Sequence, residues 1–162
     1  MDDSNQHQLI NSLVELKKAS TELFKEAKQT ICIYSKNLDP RILNNRDIES
    51  QLILFIKKSR NCRIKILIIS EQELMGLDHR IVSLAQRFTS FIELKLIPSD
   101  YHENHFGFYL IDSRKIIYRN NNERYEAEQV QLPSSLIIEK TKLFNQIWQV
   151  ASPASFLRGL YL

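Results

Sequence analysis

The residues most able to do chemistry gather between Asp100 and Asn122, a stretch that holds two of the chain's four histidines, His102 and His105. His105 opens the segment His105-Phe106-Gly107-Phe108-Tyr109-Leu110-Ile111-Asp112, which sets an imidazole and a carboxylate seven positions apart across an apolar run. His105 can contact a ligand, or it can be a strand-edge histidine satisfied by Asp112 or by backbone. Asp112 also suits the residue that opens a hairpin turn, because its side chain hydrogen-bonds nearby backbone. Gly107 within a strand marks a bulge or a close backbone approach, or it leaves room for a ligand. His102 and His105, with Asp100 and Glu103, offer donors to a divalent metal. A lone H-x-x-H with no second ligand pair nearby argues against that use, and no metal or other cofactor is expected.

A second group of charged residues lies upstream. Lys57, Lys58, Arg60, Arg63 and Lys65 can contact phosphates. They equally suit the solvated end of a helix, where cations oppose the macrodipole. Aromatic residues are not interleaved with them, which disfavours stacking on single-stranded bases.

Composition removes several classes of function. The chain has 162 residues, 43% apolar and 25% charged, with a formal net charge of +3. That suits one globular domain, and the excess charge by itself specifies no polyanionic partner. Three separated glycines, Gly76, Gly107 and Gly159, exclude a P-loop and a dinucleotide fingerprint, which need clustered glycines for backbone to approach phosphate. Cys32 and Cys62 read as small buried residues. The polar start, Met1 to Gln6, lacks the pattern of a signal peptide, and no run reaches the roughly 20 apolar residues of a membrane span. A cytoplasmic location is the expectation by elimination.

Hydrophobic periodicity supplies the elements that must hold these residues. Gln6 to Lys28 reads as a helix through Leu9, Leu13, Leu16, Leu23 and Ala27, with Asp3 or Ser4 as its cap. Ile31 to Tyr34 and Ile64 to Ile69 read as strands buried on both faces, joined by a helix from Asp47 to Ser59. A helix from Asp78 to Phe88 and a strand from Phe91 to Ile97 follow. Phe106 to Ile111 and Ile116 to Arg119 read as two strands around a tight turn at Asp112 to Lys115. Asn120 to Gln131 reads as a loop, and Pro133-Ser134-Ser135 starts a last helix that Pro153 stops. The expected fold class is α/β, a mixed β-sheet sandwiched between helices. Its parts would be an N-terminal helix over residues 1–30, a core domain over 31–152 and an apolar tail over 153–162.

The segment from His105 to Asp112 resembles the phospholipase D superfamily, whose motif is H-x-K-x4-D on a strand leading into a tight turn. His105 falls on the histidine, Asp112 on the aspartate and Gly107 on the lysine. The family's following G-S-x-N corresponds to Arg119-Asn120-Asn121-Asn122, where Asn122 alone matches. The order of elements from Ile31 to Val150 is similar to one module of that family. In the family one histidine attacks phosphorus and a second, from a paired module, protonates the leaving oxygen. The lysines hold the non-bridging oxygens.

Losing such a charged group commonly costs about 10²–10³ in rate. The resemblance therefore implies a single degenerate module, most simply a non-catalytic domain that binds a partner protein or a small anionic ligand near His105, Asp112, Asn122 and Arg119. A symmetric dimer would bring two histidines together and still lack the motif lysine. The alternatives are a phosphodiesterase or nuclease in which Arg119, Arg124 or Lys115 holds the phosphate, and a nucleic-acid-binding module using Lys57 to Lys65.

Overall fold

Period-two alternation of isoleucine runs builds the centre of the molecule. In the computed structural model, which describes residues 7–154, β2 (Thr30–Ser35), β3 (Arg63–Ile68) and β4 (Ile92–Leu96) lie side by side and parallel. β5 (Gly107–Ile111) joins β2 in the antiparallel sense, and β6 (Lys115–Arg119) returns beside it. β7 (Ala127–Gln131) and β1 (His7–Ile10) extend that side, while the short β8 (Ser152–Pro153) covers the outer edge of β4. The eight-stranded order is β1-β7-β6-β5-β2-β3-β4-β8.

Each face of the sheet takes alternate residues of the strands. Ile31, Ile33, Ile64, Ile66, Ile68, Tyr109 and Ile111 pack with residues of α1 (Leu13–Glu26), α2 (Pro40–Leu43), α3 (Arg46–Ile56) and α4 (Arg80–Arg87). Tyr34, Leu67, Phe108, Leu110 and Ile116 pack with Ile137, Phe144 and Ile147 of α5 (Ser135–Val150). Tyr34 and Phe108 stack at 5.1 Å, and Phe108 meets the edge of Phe144 at 6.3 Å. The mixed sheet between helices is thus the architecture that the sequence implies.

Four elements depart from the sequence reading. The first helix does not begin near Gln6, because residues 7–10 form β1 on the edge of β7. Ser12 is the N-cap, accepting from Glu15 N at 3.2 Å, while Glu15 Oε2 accepts from Asn11 N at 2.7 Å. That S-x-x-E pattern is a helix start, and it overrides the apolar spacing of Leu9 and Ile10. Asp3 and Ser4, proposed as caps, lie outside the described residues, as does the apolar tail from Phe156 to Leu162.

The expected loop from Asn120 to Gln131 contains β7. Its sequence Ala-Glu-Gln-Val-Gln has weak strand propensity, so the strand exists because β6 and β1 flank it. α2 and β8 are likewise additions, too short to carry a periodic signal. The two cysteines are free thiols.

The hairpin between β5 and β6 turns on two residues. Arg114 N donates to Ile111 O at 2.9 Å, and Asp112 and Ser113 both have φ of 52°. Two successive left-handed residues make a type I′ turn, in which the second position favours glycine. Asp112 is held there by its side chain, which accepts from the amides of Lys28, Gln29 and Thr30 at 2.9, 2.8 and 2.9 Å. Ser113 has no such compensation among the described residues. Ser113→Gly should therefore stabilise the fold by about 0.5–1 kcal/mol, the strain relieved exceeding the added chain entropy. A urea midpoint that falls on this substitution would contradict the turn assignment.

Candidate functional site

Sheet direction changes between β2 and β5, and the crevice at such a point lies at the carboxyl ends of the parallel strands. Lys36 follows β2, Ile69 follows β3, and His105 precedes β5. With His102, Asn104, Asn121, Asn122 and Glu123 they line a cavity of about 240 Å³.

A strained loop supports one wall. Leu38 is fully buried with φ of 56°, a conformation that costs about 1–3 kcal/mol for a residue other than glycine. Ser35 Oγ accepts from Leu38 N at 2.9 Å, and the Leu38 carbonyl accepts from His79 Nε2 at 2.8 Å. His79 Nδ1 in turn accepts from Ile81 N at 3.1 Å and caps α4. One nitrogen donates and the other accepts, so the ring is neutral and its tautomer is set. Burial lowers its pKa below the ordinary 6.5, with the Leu38 carbonyl opposing.

His105 is solvent-exposed, and its imidazole hydrogen-bonds none of the described residues. Its carbonyl accepts from Asn122 N at 2.8 Å, and Asn122 Nδ2 donates to Phe106 O at 2.9 Å. These bonds press Asn122 against Gly107. A Cβ on Gly107 would collide with Asn122 Oδ1 and lie 3.2 Å from the Tyr34 carbonyl. Gly107 is a close-approach glycine, and the space beside its α-carbon is already taken.

The structure does not bring the other expected site residues to His105. Asp112 sits at the far end of β5, about 20 Å away at some 3.3 Å per residue. Its carboxylate is engaged by three amides, so it organises the turn rather than a shared cleft. Arg119 is 2% exposed, and its guanidinium donates to the carbonyls of Asn122 at 2.9 Å and Arg124 at 2.6 Å. Asp39 lies 3.7 Å from it. Buried beside this pair, the Tyr109 phenol is pushed up to about 12, partly offset by the Arg119 charge. Arg119 thus holds the β6–β7 loop and is not free to take a phosphate.

Lys115 lies at the Asp112 end and pairs with Glu26 at 2.8 Å. His102 Nε2 bonds the Ile97 carbonyl at 2.7 Å. Among the described residues no group of three or more His, Cys, Asp or Glu side chains could hold a metal. The cation that does line the cavity is Lys36, half-exposed and 3.3 Å from Glu123. Sequence reading missed it, although a polar residue directly after a buried strand is the signal that could have found it.

Residues 12–160 match a family described as a domain of unknown function, DUF7931. The chain belongs to the DUF7931 family. No curated protein matches it.

Solved structures similar to this DUF7931 chain include NucT from Helicobacter pylori, with a TM-score of 0.64 and 12% identity over 91% of this chain and 98% of that one. TrmBL2, an archaeal chromatin protein with a novel mode of DNA binding, aligns with a TM-score of 0.63 and 15% identity. Phosphatidylserine synthase from Haemophilus influenzae Rd KW20 aligns with a TM-score of 0.60 and 14% identity. The chain covers 54% of TrmBL2 and 39% of the synthase, so it spans about half or less of those two. These likenesses show a phospholipase D-like fold. Among the described residues no helix is long and apolar enough to cross a membrane.

Two outcomes follow from this geometry. Gly107→Ala should destabilise the protein by about 1–3 kcal/mol, and Gly107→Ala with Asn122→Ala should cost less than the two single changes added together. A strictly additive double-mutant cycle would show that the close approach is not the cause. The second concerns acid. Because the His79 pKa is lower in the folded state, the folded chain binds fewer protons, and stability is full above about 6.5 and declines as pH falls through the folded value. The melting temperature should drop more between pH 7 and pH 5 in the native protein than in His79→Asn, which keeps a capping group without a titrating ring.

Proposed function

We propose that this chain is a non-catalytic phospholipase D-like domain that binds a small anionic ligand in the cleft of Lys36, His105 and Asn122. The observation that carries the reading is Gly107. In the phospholipase D motif that position belongs to the phosphate-holding lysine, and here Asn122 occupies the space into which any side chain would grow. A histidine without that clamp leaves the charge on a phosphoryl group unstabilised in the transition state. The cleft nevertheless keeps an imidazole that hydrogen-bonds none of the described residues, one ammonium group and the side-chain amide of Asn121. Those donors suit a phosphate or carboxylate held by a few charge-assisted hydrogen bonds. A second copy of the chain or another protein would supply the remaining wall.

A second reading is favoured by Lys36 itself. A cation beside His105 could replace the motif lysine from a different strand, and two such sites facing each other would make a phosphodiesterase. TrmBL2 is described as binding DNA, and a phosphodiester ligand is compatible with both readings.

One pair of measurements separates them. Incubation with bis-p-nitrophenyl phosphate and with DNA should give no turnover above background. Titration with inorganic phosphate, followed by amide NMR, should shift residues around Lys36, His105 and Asn122, with affinity reduced about tenfold in Lys36→Ala. Hydrolysis that disappears in His105→Ala would replace the first reading with the second. Phosphate shifts confined to other surfaces would remove the cleft from both.

A further inference from the structure

The opposite end of the sheet has a different electrostatic character. There α1 and α3 end, β2 and β3 begin, and the β5–β6 hairpin turns. These elements enclose a groove of about 580 Å³, lined by Lys25, Lys28, Lys58, Arg114 and Lys115 against two carboxylates, Glu26 and Asp112. The local excess of three positive charges equals the formal net charge of the whole chain. By contrast, the cleft at His105 is lined by one lysine and one glutamate.

Both carboxylates in the groove are already engaged. Asp112 accepts from three backbone amides, and Glu26 pairs with Lys115. Lys58 has a structural share in the groove, since its ammonium donates to the Ala27 carbonyl at 2.5 Å and lies 3.4 Å from the Lys25 carbonyl, both at the end of α1. Lys25, Lys28 and Arg114 are exposed and form no side-chain hydrogen bond or ion pair among the described residues. Helix-end electrostatics therefore account for Lys58 and favour Lys25 in the last turn of α1, and leave Lys28 and Arg114 at the surface without a side-chain partner among the described residues.

Of the linear cluster from Lys57 to Lys65, Lys58 alone lines the groove. Arg63 donates to the Arg60 and Cys62 carbonyls and covers the Phe91 ring, while Lys65 lies 5.6 Å from the Trp148 ring, against α5. What the fold adds is Lys25 and Lys28 from the end of α1 and Arg114 from a hairpin more than 80 residues later in the sequence.

We propose that this groove binds the phosphodiester backbone of a nucleic acid, at the end of the sheet remote from His105. Cations distributed along a concave surface fit an extended chain of phosphates. Among the described residues no aromatic side chain lines the groove, so contact would be with backbone and would not discriminate sequence. An anionic membrane is the poorer fit, because among the described lining residues Leu132 is the single exposed apolar side chain and Ile111 is buried. A surface that inserts into lipid needs an exposed apolar face.

The test is fluorescence anisotropy with a labelled 20-base-pair duplex between 50 and 200 mM salt. About four phosphate contacts should give a slope of log K against log salt near −3.6. Lys25→Gln with Lys28→Gln and Arg114→Gln should weaken binding by about tenfold or more and flatten the slope by about 2 to 3. Lys28→Glu alone provides a milder variant, and circular dichroism melting verifies that each is folded. Lys36→Ala and His105→Ala should leave DNA affinity unchanged. Loss of binding in those two variants but not in the groove variants would place the polyanion in the other cleft and overturn this inference, leaving the reading of that cleft intact. A salt-independent affinity, or capture by phosphatidylserine vesicles without DNA binding, would also overturn it.

Discussion

Three consecutive backbone amides at the entry to β2 converge on one carboxylate, that of Asp112. Oriented N–H groups of this kind form a natural anion site, and here the chain fills it with its own side chain. The consequence is positional. The end of β5 is pinned to the start of β2, the antiparallel register Ile31↔Ile111 to Tyr34↔Phe108 follows, and His105 is delivered to the far end. His105 and Asp112 serve different purposes because a five-residue strand separates them.

Closeness then governs the His105 end. Asn122 is clamped between the carbonyls of His105 and Phe106, and Gly107 must be bare for it to fit. Arg119, the direct cross-strand neighbour of Gly107, turns into the interior and gathers the carbonyls of Asn122 and Arg124. A buried guanidinium with several carbonyl acceptors and a nearby carboxylate is costly to disturb. The loop carrying Asn121, Asn122 and Glu123 is thus held from beneath by a buried cation whose Nε and Nη2 already donate to its carbonyls. Across the cleft the left-handed Leu38 is restrained by Ser35 and His79, which keeps Lys36 on the rim. Strain of this type persists only where the surroundings over-determine it.

The two ends of the sheet therefore differ in kind. One is a small, nearly charge-balanced cleft of mixed hydrogen-bonding groups. The other is a larger groove in which carboxylates are consumed internally and cations are left over. Net charge conceals this division, since it sums over ends that a ligand would meet separately.

Much of the architecture was legible in the amino-acid order. Isoleucine runs at β2 and β3, the alternation in β4, the helical spacing of α3, α4 and α5 and the tight turn at Asp112 are local patterns, and local patterns survive in sequence. Tertiary structure alone decided that Ala127 to Gln131 is a strand, because its propensity is weak and its pairing is supplied by β6 and β1. It also decided that Asp112 and His105 lie apart, that Arg119 is buried, that Lys36 shares a cleft with His105, and that Lys28 shares a groove with Arg114. Each of these depends on which residues distant in sequence are brought within a few ångströms. Spacing along a chain carries no such information until hydrogen-bonded register converts it into distance.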